Sequence, residues 1–196
     1  MASLVTLTEY KINESINSVK DDERIEALIL SVSQLVKTYC GNSIVDHYAN
    51  ETPKVEEFSI SWGTNLVQLT ESPVNSVTGI QYRDGFDQPY ATLPTTEYFL
   101  EKSTDSIYRV TTSGIAKNWP LGPGSVKVTY TAGYESTPAD LKLAVFDLIT
   151  YYLKDEHKAR QTLAGASIQN QASSSQRNNV AFPDHIKRVL DLYKNF

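Results

Sequence analysis

His47, His157, His185 and Cys40 are the side chains in this sequence best suited to holding a metal or pairing a nucleophile with a base. Such chemistry needs partners at a defined spacing, as when two histidines sit one helical turn apart around a glutamate. None of the three histidines stands in that relation to another histidine, to the cysteine or to a carboxylate. His157 and His185 fall in charged stretches that read as solvated helix ends. Gly-x-Ser-x-Gly, the P-loop and the dinucleotide fingerprint are absent. Gly122-Pro123-Gly124 is the densest glycine cluster, but it lacks the lysine and the helix start of a phosphate cradle and reads as a turn. Asp21-Asp22-Glu23 reads as the acidic start of a helix, where carboxylates complement the macrodipole. Asp155-Glu156, beside Lys154 and Lys158, reads as a solvated helix surface. These residues predict no enzyme, no metal and no cofactor.

Tyrosine is the more informative residue, with 12 copies. Tyr151 and Tyr152 are adjacent on a helical pattern, about 100° apart, so one ring is expected inward and the other toward a neighbour or solvent. A large apolar ring with a polar tip suits subunit contacts.

The chain has 196 residues with 40% hydrophobic and 21% charged content, values ordinary for a globular protein with a real core. Eighteen Lys+Arg against 23 Asp+Glu give a formal charge of -5, which argues against binding nucleic acid by neutralising phosphates. Cys40 alone cannot form an intramolecular disulfide, and its place late in an apolar helical pattern predicts a buried thiol. The opening residues show no secretory signal, and no stretch approaches the roughly 18 apolar residues of a membrane span. The expected setting is cytoplasm, or a particle assembled there.

The spacing predicts a short first helix over about 7–17, opened by a Thr6–Glu9 capping box. Asp21 or Asp22 caps a second helix carrying Ile25, Leu28, Ile29, Val32, Leu35, Val36 and Tyr39, closed by a left-handed Gly41. From about Ile44 to Tyr130 the period becomes two, with strands expected at Val55–Trp62, Asn65–Leu69, Val77–Arg83, Tyr98–Glu101, Ile107–Val110 and Ser125–Thr131. Asp84-Gly85 reads as a hairpin turn with positive φ. The prolines of this region, Pro123 among them, are poorly suited to central strands. Thr137 is expected to cap a third helix, with Pro138 in its first position and Leu141, Ala144, Val145, Leu148, Ile149 and Tyr152 on its apolar face. Residues 161–181 are polar and aperiodic and read as a mobile loop. A closing helix after Pro183 carries Ile186, Val189, Leu190 and Tyr193. The fold class is therefore α+β: a bundle of about four helices (1–43 and 135–196) with an antiparallel β subdomain (44–134) inserted between helices 2 and 3. The apolar faces of helices 2, 3 and 4 are expected to form one core. Gly133 is expected to take a conformation that a β-carbon penalises, because strand and helix are joined within four residues.

The stretch "VTYTAGY" followed by "PADLKLAVFDLITYYLKD" resembles the head–tail connector (head-completion or adaptor) proteins of tailed bacteriophages. In that family a strand ends in a similar corner and a Pro then opens a long helix. "SLVTLTEYK", "DDERIEALILSVSQLVKTYCG" and "FPDHIKRVLDLYKNF" are similar to its other helices, in the same order. The resemblance implies a non-enzymatic virion protein forming a ring, typically dodecameric, beneath the portal. Such a ring completes the head, extends the DNA channel and docks the tail or a second neck protein, and DNA passes without sequence-specific binding. It implies a structural corner at Gly133, Tyr134 and Pro138, and candidate subunit or portal contacts at Tyr151, Leu163, Ile168, Arg177, Tyr193 and Phe196. The alternative is a β-rich host-receptor or carbohydrate-binding module, motivated by Trp62, Trp119 and the tyrosines; it requires an exposed aromatic platform. A small hydrolase is disfavoured by the missing nucleophile and base.

Overall fold

The computed structural model describes residues 2–154, 161–163, 166–168 and 182–194, with the backbone alone at 161–163 and 166–168. The chain divides into two compact units, one of Met1–Gly41 with Ser136–Lys194 and one of Asn42–Glu135. It is an α+β fold with antiparallel sheets, and the β region lies between the second and third helices.

In the helical unit, α1 (Leu7–Asn13) starts from the capping box. The Thr6 amide donates to Glu9 Oε2 at 2.8 Å and the Glu9 amide donates to Thr6 Oγ1 at 3.2 Å. The helix stops short of the expected residue 17, because Glu14 caps it and Ser15 turns to φ 56°. Lys142 Nζ donates to Glu9 Oε1 at 2.6 Å. That bond, with the Thr6 amide, holds the Glu9 carboxyl below its ordinary range. A depressed folded pKa adds stability above the unfolded value, near 4.5, and that stability is lost as pH falls through the folded value. Glu9→Gln is expected to flatten the acid limb of stability in thermal melts; an unchanged limb would show that the contact contributes nothing.

α2 (Asp22–Cys40) buries Ile25, Ile29, Val32, Val36 and Cys40, a stripe stepping three or four residues at a time. Leu28, Leu35 and Tyr39, expected in the core, flank this stripe half-buried. Gly41 ends the helix at φ 66°. Asp21 sits at the N-cap without a side-chain bond, so its contribution there is charge alone. α3 (Ala139–Leu153) buries Leu141, Ala144, Val145, Phe146, Leu148 and Ile149. Its cap departs from expectation. Pro138 is the N-cap residue, and the Thr137 hydroxyl instead donates to the Leu4 carbonyl at 2.6 Å. The N-terminal segment offers Thr137 a buried acceptor, and Leu4 is itself fixed by its amide donating to Ser33 Oγ at 3.0 Å. α4 (Asp184–Asp191) buries Ile186 and Leu190, with Val189 half-buried. α2, α3 and α4 pack against one another as one core.

Cys40 is fully buried, and its thiol meets the Leu190 carbonyl at 3.6 Å. Burial, with Asp191 nearby, pushes the thiol up to about 11. A neutral, enclosed thiol is a poor nucleophile. Alkylation of Cys40 is therefore expected to track unfolding of the helical unit as denaturant is raised; rapid labelling of the native protein would count against this packing.

In the β unit, β1 (Lys54–Ile60), β7 (Gly122–Ala132), β3 (Val74–Tyr82) and β4 (Ala91–Thr92) form an antiparallel sheet in that spatial order. β2 (Leu66–Gln68), β6 (Ser106–Arg109) and β5 (Tyr98–Glu101) form a second. Both contribute to one core around Leu69, Ile80, Ile107, Trp119, Val126, Val128 and Tyr130. β4 is too short to leave a periodic signal.

Two local readings are corrected. Asp84-Gly85 is not a two-residue turn, because β3 and β4 pair last through Tyr82 and Ala91 and leave residues 83–90 as a loop. Arg83 organises that loop. Its Nε donates to the Gly124 carbonyl at 3.0 Å, Nη2 to Pro123 at 3.0 Å and Nη1 to Phe86 at 2.9 Å, while the Phe86 and Tyr90 rings lie against the guanidinium. Gly122-Pro123-Gly124 is not a turn but the irregular start of central strand β7. The pairing register with β1 breaks there, between Phe58 and Ile60, and Gly122 and Gly124 adopt φ 138° and 56°. A proline is tolerated in that strand because the ladder is already interrupted.

Within 161–168 the backbone forms one further antiparallel pair, β8 (Gln161–Leu163) with β9 (Ala166–Ile168). The polar composition gave no sign of it, and the remainder of the expected 161–181 loop lies outside the described residues.

Candidate functional site

The residues singled out for structure and assembly fall into three groups. The first is the corner. Gly133 has φ 93°, and a β-carbon there would collide with the Ile44 carbonyl oxygen. The cause is therefore a close backbone crossing rather than the distance to the next helix. The Tyr134 amide donates to that same carbonyl at 2.8 Å, the Gly133 amide donates to Pro73 O at 2.8 Å, and the Ala132 amide donates to His47 O at 2.9 Å. Ile44, buried and at φ 68°, is held in this unusual conformation by the Asn42 side chain, whose Oδ1 accepts from the Ile44 amide at 2.9 Å. Ser43 is fixed beside it, donating from its amide and hydroxyl to Glu71 Oε2 at 2.8 and 2.7 Å. Tyr134 is half-buried, and Pro138 starts α3.

The second group is aromatic. Tyr151 and Tyr152 are both half-buried, with rings edge to face at 5.6 Å, so neither takes the fully inward place expected of one of them. Tyr193 is half-buried and donates its hydroxyl to Asp140 Oδ1 at 2.6 Å, which holds that carboxyl below its ordinary range. Tyr39 donates its hydroxyl to Asp191 Oδ1 at 2.6 Å; burial, then the carboxylate, pushes its phenol up to about 12. Phe182 stacks edge-on against Tyr39 at 5.0 Å. These hydroxyls secure the chain's own helices.

The third group lies in or beyond the polar run. Leu163 pairs with Ala166 and Ile168 with Gln161. Arg177 and Phe196 lie outside the described residues, as does His157.

Trp119, half of the aromatic pair that motivated a glycan-binding module, is a core residue at 2% exposed, whereas Trp62 is 70% exposed. The two therefore make no shared platform. His47 Nδ1 lies 2.9 Å from the Thr52 carbonyl, and no group able to hold a metal is found among the described residues. No helix among them is long and apolar enough to cross a membrane. The sequence reading passed over the exposed side chains at the end of the four-stranded sheet, chiefly Phe86 at 65%, and Leu192 at 78% after α4. An apolar residue standing alone in a polar turn was the only signal available for Phe86.

The head completion protein of Escherichia phage T5 is 24% identical over 147 residues, 66% of this chain and 84% of its own. Among solved structures, a chain from the neck of an empty gene transfer agent particle, computed with C6 symmetry, superposes with a TM-score of 0.62 at 15% identity. That match covers 98% of this chain and 90% of the other. A chain from the virion of the native gene transfer agent particle gives 0.62 at 16% identity, covering 100% and 93%. These likenesses concern the fold. The family model described as "Head completion protein" matches residues 3–196, and the chain accordingly belongs to the head completion protein family.

Proposed function

We propose that this chain is a structural protein of the virion neck, a head–tail connector whose copies form a ring below the portal. The observation that carries the reading is a family match running through both units, 3–196, so that β insertion and helices belong to one purpose. The ring completes the head, extends the DNA channel and presents the surface on which the tail or a second neck protein docks. Twelve copies on the portal, assembled in the host cytoplasm, is the expected arrangement, and the protein performs no catalysis. With a formal charge of -5, the subunit repels the duplex and lets it slide, where a basic lining would grip it. The Gly133 corner keeps the β unit's entry and exit fixed, so every copy offers the same surface. The polar 161–181 run, which includes Leu163, Ile168 and Arg177, contributes contacts to portal or neighbour, as do Tyr151 before it and Tyr193 and Phe196 near the end of the sequence.

Deleting Ala164–Asn179 tests this. The isolated protein is expected to keep its helical circular dichroism and melting temperature, while particles carrying the deletion accumulate as heads beside unattached tails. Normal joining of heads to tails would show that the segment is a passive linker.

A further inference from the structure

The charge of this chain is unevenly placed. Between Asn42 and Glu135 lie eleven Asp+Glu and six Lys+Arg, so the whole of the -5 belongs to the β unit; the remainder balances at twelve of each. Two surfaces express this difference at residue level. On the β unit, Arg83 draws its loop inward through three carbonyls, and that clasp leaves Phe86 65% exposed at the tip. Asp84 and Asp87 flank Phe86, both exposed and, among the described residues, without an ion pair or hydrogen bond. On the helical unit, Arg188 on α4 and Leu192 at its C-cap lie four residues apart, with Lys187 beside Arg188. Both cations are exposed and unpaired among the described residues, and Leu192 is 78% exposed.

We propose that the 83–90 loop of one copy docks on α4 of the next, with Asp84 and Asp87 facing Lys187 and Arg188 and Phe86 covering Leu192. The inference rests on the ring reading above and names its subunit contact. Like surfaces repel, since two loops would bring four carboxylates together and two copies of α4 four cations. The contact is therefore head-to-tail rather than self-complementary, and only a head-to-tail contact closes a ring of more than two copies. Opposite signs set the register of each encounter, and the small apolar pair is weak until ring closure multiplies it.

The test uses the full chain in assembled particles, with wild-type copies first imaged around the neck axis. Asp84→Lys with Asp87→Lys, and separately Lys187→Glu with Arg188→Glu, are each expected to lower the yield of tailed particles about tenfold. Combining all four restores it, and the melting temperature of the isolated protein stays unchanged because the positions are exposed. Wild-type yield from either pair, or a fourfold variant no better than the pairs, overturns the contact and leaves the ring standing. Wild-type necks without copies around the axis overturn the ring itself. A second measurement exploits the burial of Cys40. Chains carrying Phe86→Cys mixed in particles with chains carrying Leu192→Cys are expected to give disulfide-linked dimers, and neither alone. Dimers from one chain alone, or none from the mixture, overturn the head-to-tail contact.

Discussion

Gly133→Val is expected to destabilise the β unit by about 4 kcal/mol or more, among the largest effects of any single substitution in this chain. Two costs combine. At φ 93° an L side chain is strained wherever it sits, by about 1–3 kcal/mol. In addition, the new β-carbon meets the Ile44 carbonyl oxygen, and backbone cannot swing aside as a flexible side-chain end can. Moving Ile44 disturbs the bond its carbonyl accepts from the Tyr134 amide and the buried Ile44 side chain itself. Trp119 lies in the β-unit core, so its fluorescence reports this unit during urea unfolding. A midpoint within error of wild type would refute the close crossing. Gly133→Ala should already show most of the loss, because the first carbon makes the collision.

Leu148→Ala is expected to cost about 2–5 kcal/mol in the helical unit. Leu148 is fully buried at the inner face of α3, where α2 and α4 both pack. Truncation removes apolar contact and leaves a cavity that helices anchored at several points cannot close. Three of those anchors are side-chain bonds: Tyr10 to Thr150 at 2.9 Å, Lys142 to Glu9 at 2.6 Å and Tyr193 to Asp140 at 2.6 Å. Helical circular dichroism against urea measures the loss; a change below about 0.5 kcal/mol would place Leu148 at the surface instead. Leu143→Ala, at a position 55% exposed on the same helix, is the matched control and should stay near wild type.

The parts of this fold legible in the sequence are those whose cause is local. The α2 stripe repeats within a few residues, the Thr6–Glu9 capping box spans three, and Gly41 is fixed by the helix it ends. The parts misread have distant causes. Thr137 leaves its cap for a carbonyl 133 residues away. Arg83 turns a predicted two-residue hairpin into a loop by reaching carbonyls about 40 residues on. Pro123 sits in a central strand because β1 breaks register beside it. The candidate contacts were harder still, since a surface tyrosine reads alike whether its hydroxyl meets a partner or, as at Tyr193, its own chain. The family was recognisable despite this, because its motifs are the local ones: strand end, glycine corner and helix openings.

The crossing of Ile44 with Tyr134 has a mechanical meaning. The chain enters the β unit at Asn42 and leaves it at Glu135, and the Tyr134 amide is bonded to the Ile44 carbonyl just inside both points. A pull transmitted along the polypeptide from either helical segment reaches this staple before it reaches any strand ladder. The ninety or so residues beyond it hang in parallel with the load path rather than in series. Tension along the chain would thus be met first by a few backbone bonds beside Gly133, before the strand ladders beyond them.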